Sequence, residues 1–235
     1  STHSFAPLLP FLRDHFNILT LDLPGHGFTK TDTSSALSLN AIAFGVQRLL
    51  AEQEVSSDYV VGHSAGAAIA LAMAAKNAKF KHIIGINAAL RPMQGNAVFS
   101  PLAKLLFLNP MTPRFFSWQA RNTAIAERLL SSTGSRLSDD MQERYETLFA
   151  NTAHVQGTLG MMANWDLEPL QKALPNITTP TTLIATNDDG MVPISVSSDA
   201  SERLPSAVLK PIKSGGHLVH ETRPQEIAEM IFQAC

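Results

Sequence analysis

The stretch VVGHSAGAAIALAMAA, residues 60–75, decides how this chain folds. Val60 and Val61 end a β-branched run, and from Ala65 onward almost every residue is small or apolar, so a buried strand passes directly into a closely packed helix. Between the two lies Gly62-His63-Ser64-Ala65-Gly66, a G-x-S-x-G pentapeptide. A sharp strand-to-helix turn forces the serine into a strained backbone conformation. Side chains two residues to either side would collide, which predicts a need for glycine at both Gly62 and Gly66. The same turn lifts the Ser64 hydroxyl above the sheet edge. It also lets the N–H of Ala65, at the helix start, point at negative charge developing on an oxygen. Small residues equally suit helix packing, so Ser64 reads as a nucleophile only if a base and an acid accompany it.

Outward from this stretch, short apolar runs alternate with helix-like segments. FNILTLDL (16–23), DYVVG (58–62), KHIIGIN (81–87), TTLIAT (181–186) and AVLKPI (207–212) read as buried strands. SLNAIAFGVQRLLAEQ carries Leu39, Ile42, Ala43, Val46, Leu49 and Leu50 at helical spacing, and RPQEIAEMIFQA repeats that pattern behind Pro224. Strand alternating with helix predicts an α/β fold, a mostly parallel sheet covered on both faces. Residues 92–166 break the alternation with proline-punctuated helical segments such as SPLAKLLFL and NTAIAERLL. The expected organisation is therefore a core of residues 1–91 and 167–235 with a helical lid of residues 92–166. Both tryptophans and Met93, Met111, Met141, Met161 and Met162 fall in the lid. They read either as ordinary core or as the adaptable apolar wall of a pocket.

Composition excludes several classes. With 18 Lys and Arg against 20 Asp and Glu, and no basic block, nothing marks a phosphate-tracking surface. Cys235 is the only cysteine, so neither an intrachain disulfide nor a cysteine zinc cluster can form; this fits a cytoplasmic location. No apolar run reaches the roughly 18–20 residues that span a bilayer. The eight histidines contain no H-E-x-x-H, so no metal is expected. GHGFTKT (25–31) lacks the glycine that a phosphate loop needs before Lys-Ser/Thr, and Gly25 and Gly27 read instead as a tight turn with His26 structural.

A serine hydroxyl needs a base, and the base an orienting acid. LIATNDDGMVP supplies Asp188 and Asp189 after one strand, and SGGHLVHETRP presents His217 after the last. Each candidate falls at a strand's C-terminal end, where open α/β sheets place their active sites.

LDLPGHGFT, VGHSAGAA, DDGMVP and SGGHLVHETRPQEIAEMI resemble the α/β-hydrolase superfamily from its fourth sheet strand to its final helix. The resemblance selects Asp189, four positions before the proline of D-x-x-V-P, over Asp188. It selects His217, which follows a Gly-Gly turn, over His220. Asp188 then reads as a solvated loop carboxylate and His220 as a helix-start residue. Asn87 stands where some relatives carry their acid, and it does not ionise. A narrower resemblance, in HSAGAAIAL, FSPLAKLL, GSRLS and above all HVQGTLGMMANWDLEPL, is to the magnesium-chelatase accessory hydrolases of the bacteriochlorophyll pathway. It implies a role in making the magnesium-porphyrin pigment.

In the superfamily, further strands and a His-Gly loop that supplies a second oxyanion N–H precede the point at which this chain starts. The resemblance thus implies missing N-terminal strands and an isolated chain of weak or no activity. The reading is a serine hydrolase without cofactor, acting on an ester, thioester or lactone. Ser64 is nucleophile, His217 base, Asp189 its orienting acid and Ala65 an oxyanion donor, while His63, Met161, Met162 and Trp165 line a pocket for a bulky hydrophobic substrate such as a porphyrin or chlorin. Arg114, Arg121, Arg128, Arg136 and Arg144 read as solvated faces, or as partners for tetrapyrrole propionates. The competing readings are a non-catalytic porphyrin-binding accessory protein docking onto magnesium-chelatase subunits, and a general carboxylesterase or lactonase.

Overall fold

The computed structural model describes residues 1–31, 34–91, 109, 111–122 and 125–235. Four strands, β1 (Tyr59–His63), β2 (His82–Ile86), β3 (Thr181–Thr186) and β4 (Ala207–Ile212), form one parallel sheet in that spatial order. Their register sets Gly62 opposite Gly85, Gly85 opposite Leu183 and Thr186 opposite Ile212, so all four strands end along one edge.

The helices in chain order are α1 (Leu9–Leu12), α2 (Leu39–Glu52), α3 (Ala65–Ala75), α4 (Met111–Asn122), α5 (Ile125–Ser131), α6 (Asp139–Phe149), α7 (Thr152–Asn164), α8 (Glu168–Ala173), α9 (Ile194–Arg203), α10 (Val219–Thr222) and α11 (Pro224–Phe232). Ser38 caps α2 by accepting a hydrogen bond from the Ala41 N–H, and Pro224 occupies the first turn of α11, where its missing N–H costs nothing. Strand periodicity then divides the sheet's side chains between two cores. Ile83 and Leu183 face α2, α3, α8 and α9, while Ile84, Ile86, Ile184 and Ile212 face Leu8, Leu12, Val219, Ile227 and Ile231. Helix α3 is buried continuously from Ala67 to Met73. Its alanines let it lie close to the sheet, and each fully buried large side chain, such as Leu71, contributes about 1.5–3 kcal/mol.

One expected strand is absent. Residues 16–23 pair with no strand among the described residues. Apolar character alone does not make a strand, which needs a neighbour's hydrogen-bonding edge. Phe16 instead stacks on Phe232 and meets Tyr59 edge-on, Leu21 and Leu23 pack on the α3 side, and Ile18 and Leu19 remain 40% and 54% exposed.

Helices α4 to α7 are inserted between β2 and β3 and pack on one another. Ser138 caps α6 and the Asn151 side chain caps α7. Helix α7 crosses the turn at residues 25–27 in backbone contact: a Cβ at Gly157 would sit 1.8 Å from the Gly25 carbonyl oxygen. Gly25 and Gly27 both take positive φ there (73° and 58°), and the Gly27 N–H donates to His154 Nδ1 at 3.1 Å. The helix expected over residues 100–108, and Met93, lie outside the described residues. No helix among the described residues is long and apolar enough to cross a membrane.

Candidate active site

Ser64 stands between the last residue of β1 and the first of α3, at φ 51° and ψ −113°. A non-glycine residue rarely adopts this conformation, and here the surroundings impose it. The Ser64 N–H donates to the Ile86 carbonyl at 2.9 Å, and the Ser64 carbonyl accepts from Ala67 at 3.2 Å and Ala89 at 3.1 Å. A Cβ at Gly62 would lie 2.4 Å from the Gly66 carbonyl carbon, so the expectation for Gly62 agrees with the packing. For Gly66 it does not: among the described residues a Cβ there meets nothing within 4 Å. Among the described residues, then, only one of the two glycines is required by close approach.

Asp189 follows β3 and His217 follows β4, and their side chains meet with Nδ1 2.8 Å from Oδ2. The other Asp189 oxygen accepts the N–H groups of Met191 at 2.7 Å and Val192 at 2.8 Å, so the carboxylate is fixed at both ends. Facing a carboxylate, Nδ1 carries the proton, which leaves Nε2 as the basic nitrogen. The Ser64 hydroxyl makes no hydrogen bond among the described residues. The N–H of Ala65 opens α3 and is without an acceptor among the described residues, an oriented donor at a helix N-terminus.

Two residues that sequence reasoning set aside hold the His217 loop. Asp188 accepts the N–H groups of Gly215 (3.0 Å to Oδ1) and Gly216 (2.9 Å), so this exposed loop carboxylate is also a loop anchor. Asn87, 1% exposed and at φ 45°, donates from Nδ2 to the carbonyls of Gly216 (3.0 Å) and His217 (2.9 Å) and accepts the Thr186 N–H at 2.9 Å. The Thr186 hydroxyl adds a bond to the Gly216 carbonyl at 3.0 Å. The signal for Asp188 was the adjacent Gly-Gly pair, which leaves two bare N–H groups to be satisfied.

His63 lies against His217. Its Nε2 donates to the His217 carbonyl at 2.8 Å, and its ring packs against those of His217 and His220 at centroid distances of 4.6 and 4.3 Å. Burial, reinforced by the neighbouring imidazoles His220 and His217, holds His63 well below the usual histidine range. His220 is more than a helix-start residue. It is fully buried, accepts or donates at 2.9 Å to Ser4 Oγ, and burial pushes it down to about 3. Next to it, burial pushes the Glu221 carboxyl up to about 7; Glu221 receives hydrogen bonds from Ser4 Oγ and, at 2.6 Å, from the Tyr145 hydroxyl of α6.

The remaining pocket candidates are distributed differently. Met161 and Trp165 pack against the core on the α3 side, and Met162 is half-buried. Arg114, Arg128, Arg136 and Arg144 are exposed, with Arg144 paired to Asp140 at 3.0 Å; the Arg121 side chain lies outside the described residues.

The sequence profile described as "Alpha/beta hydrolase family" matches residues 1–230. The chain is 38% identical over 238 residues to the "Magnesium-chelatase 30 kDa subunit" of Rhodobacter capsulatus, covering 99% of this chain and 82% of that protein. It is 27% identical to the "Pimeloyl-[acyl-carrier protein] methyl ester esterase" of Xanthomonas campestris pv. campestris, over 97% of this chain and 88% of the relative. Among solved structures, a hydrolase from Oleispira antarctica superposes with a TM-score of 0.78 at 18% identity, over 99% of this chain and 86% of that one. With its sheet, its strand-to-helix turn and these matches in view, the chain belongs to the alpha/beta hydrolase family.

Proposed function

We propose that the protein is a serine hydrolase that cleaves an ester-type bond and serves magnesium-porphyrin formation as an accessory enzyme of the chelatase. The observation that carries the reading is the 2.8 Å His217–Asp189 pair standing at strand ends beside a serine held at positive φ. Ser64 Oγ attacks the acyl carbon while His217 Nε2 takes its proton, and the carbonyl oxygen gains the negative charge. The Ala65 N–H donates to that oxyanion. His217 returns the proton to the leaving alkoxide, and the acyl group remains on Ser64. Water, deprotonated by His217, then attacks the acyl-enzyme, and the proton passes to Ser64 as the carboxylic acid departs. Asp189 keeps Nδ1 protonated and steadies the imidazolium throughout.

The four-helix insertion acts as a lid in this reading, and Met162, with the solvent-side surfaces of Met161 and Trp165, forms an apolar wall for a bulky substrate such as a porphyrin or chlorin ester. The esterase relative supports the bond type, and the magnesium-chelatase-named relative supports the pathway. The test is a fluorophosphonate label read by peptide mass spectrometry. Label on Ser64, lost in Ser64→Ala, together with collapse of magnesium-porphyrin synthesis in cells carrying Ser64→Ala, is the expected result. Unchanged pigment synthesis in that strain overturns the catalytic reading in favour of a binding role.

A further inference from the structure

Among the described residues, the inserted helices hydrogen-bond the loop carrying His217 through the turn at residues 133–135, between α5 and α6. The Thr133 carbonyl accepts the N–H of His217 at 2.8 Å and that of Gly190 at 3.3 Å, so a single oxygen ties the loop carrying the base to the loop carrying the acid. Ser135 Oγ donates to the Gly215 carbonyl at 3.0 Å and accepts the Leu218 N–H at 2.8 Å, bracketing His217 from both sides. Three glycines make this approach possible. A Cβ at Gly134 would lie 2.7 Å from the Asp188 carbonyl oxygen, one at Gly190 2.3 Å from the Ser132 oxygen, and one at Gly216 2.4 Å from the Gly134 carbonyl carbon. Ser135 itself is buried. A hydroxyl that both donates and accepts in this way replaces a backbone partner for the loop.

We propose that Ser135, in the turn between α5 and α6, is a positioning residue for His217, acting through its own two hydrogen bonds to the loop. The inference rests on the reading of His217 as general base. Removing the hydroxyl strands the buried Leu218 N–H and leaves the Gly215 carbonyl with the Thr222 hydroxyl alone (3.1 Å), and the loop shifts to satisfy the orphaned donor. A shift of about 1 Å at a catalytic group costs on the order of 100-fold in rate.

The experiment compares the purified wild-type protein with Ser135→Ala, Ser135→Thr and Ser138→Ala. Ser138→Ala removes the α6 cap and so weakens the same helical insertion without touching the loop. Fluorophosphonate labelling of Ser64 and p-nitrophenyl ester turnover are followed, together with the downfield proton resonance of the His217 Nδ1–H facing Asp189. Ser135→Ala is expected to lower the labelling rate and kcat by about 10- to 100-fold with KM changed less than about twofold, and to broaden the resonance. Ser135→Thr, which keeps the hydroxyl, restores most of the rate, and Ser138→Ala leaves it at the wild-type level. Should Ser135→Ala not fold, Ser135→Cys gives the same comparison with the volume retained. Wild-type rate and resonance in Ser135→Ala, or an equal loss in Ser138→Ala, overturns the proposal while leaving Ser64 as nucleophile. An unlabelled wild type whose resonance still disappears in Ser135→Ala overturns the nucleophile reading and keeps the positioning role.

Discussion

The two glycines of the strand-to-helix turn differ in a way that mutation can weigh. A methyl group at Gly62 meets only backbone, 2.4 Å from the Gly66 carbonyl carbon and 2.5 Å from the Ala67 nitrogen, so no flexible side chain can yield. Ordinary contact begins near 3.4 Å, and β1 and the start of α3 must separate by about 1 Å to admit it. Overpacking of this kind costs about 1–3 kcal/mol, against which loss of unfolded-state freedom on replacing glycine returns about 0.4–1 kcal/mol. Gly62→Ala is therefore expected to destabilise by roughly 1–2 kcal/mol, a fall of about 2–8 °C in Tm for a chain of this size. It also tilts Ser64, and the fluorophosphonate labelling rate falls at least about tenfold. Gly66→Ala, with open space before its Cβ among the described residues, is expected to leave the labelling rate intact and to hold or raise Tm. Urea unfolding and labelling kinetics on the two purified variants decide the matter. Equal losses in both, or an unperturbed Gly62→Ala, would refute the argument that one close approach shapes the turn.

Three further outcomes are expected. In Asn87→Asp a carboxylate oxygen replaces the amide that donates to the Gly216 and His217 carbonyls, so stability falls by roughly 2–4 kcal/mol and labelling by more than about tenfold, as urea unfolding and labelling kinetics will show. Gly157→Ala drives a methyl into the Gly25 carbonyl and lifts α7 from the turn at residues 25–27, seen as faster amide hydrogen exchange in both segments. Glu221, raised by burial to about 7 from 4.5, keeps a proton that the unfolded chain releases. Its contribution is complete below about pH 4.5 and is lost as pH rises through 7. Glu221→Gln mimics the protonated form, so the stability gap between wild type and variant changes by on the order of 2 kcal/mol from pH 5 to 8 in urea unfolding. His3 and His154, lowered by burial to about 4, and His220, lowered to about 3, act oppositely. Their contribution is complete above pH 6.5 and is lost as pH falls toward those values, which sets the acid limb of both proteins.

What was legible in the sequence follows from how local each signal is. Strands β3 and β4 and helices α2 and α11 fall where short β-branched runs and helical spacing put them, because those patterns encode which face is buried. The run at residues 16–23 has the same local pattern and forms no strand, because a ladder depends on a neighbour that no local pattern specifies. Strand ends and turn residues pointed to Ser64, the Asp188-Asp189 pair and His217, the resemblance selected Asp189 and His217, and the structure brings those two into contact. The loop-holding contacts of Asn87, Ser135 and His63 were not legible. They act on backbone groups of a loop distant in sequence, and a donor aimed at a carbonyl 130 residues away leaves no spacing to read. The Gly66 expectation failed for a related reason: crowding around a turn is a three-dimensional quantity, and symmetry in a motif does not make its surroundings symmetric.

The amide at position 87 also constrains how this lineage can change. Its oxygen and nitrogen are both committed, one to Thr186 and the other to two carbonyls, so the side chain has a single sense of rotation. A carboxylate at the end of β2 would turn an oxygen toward the two carbonyls to which the amide nitrogen donates. Only a re-routed loop after β4 would relieve that repulsion. The donor at the end of β2 is thus a fixed part of how the loop after β4 is held.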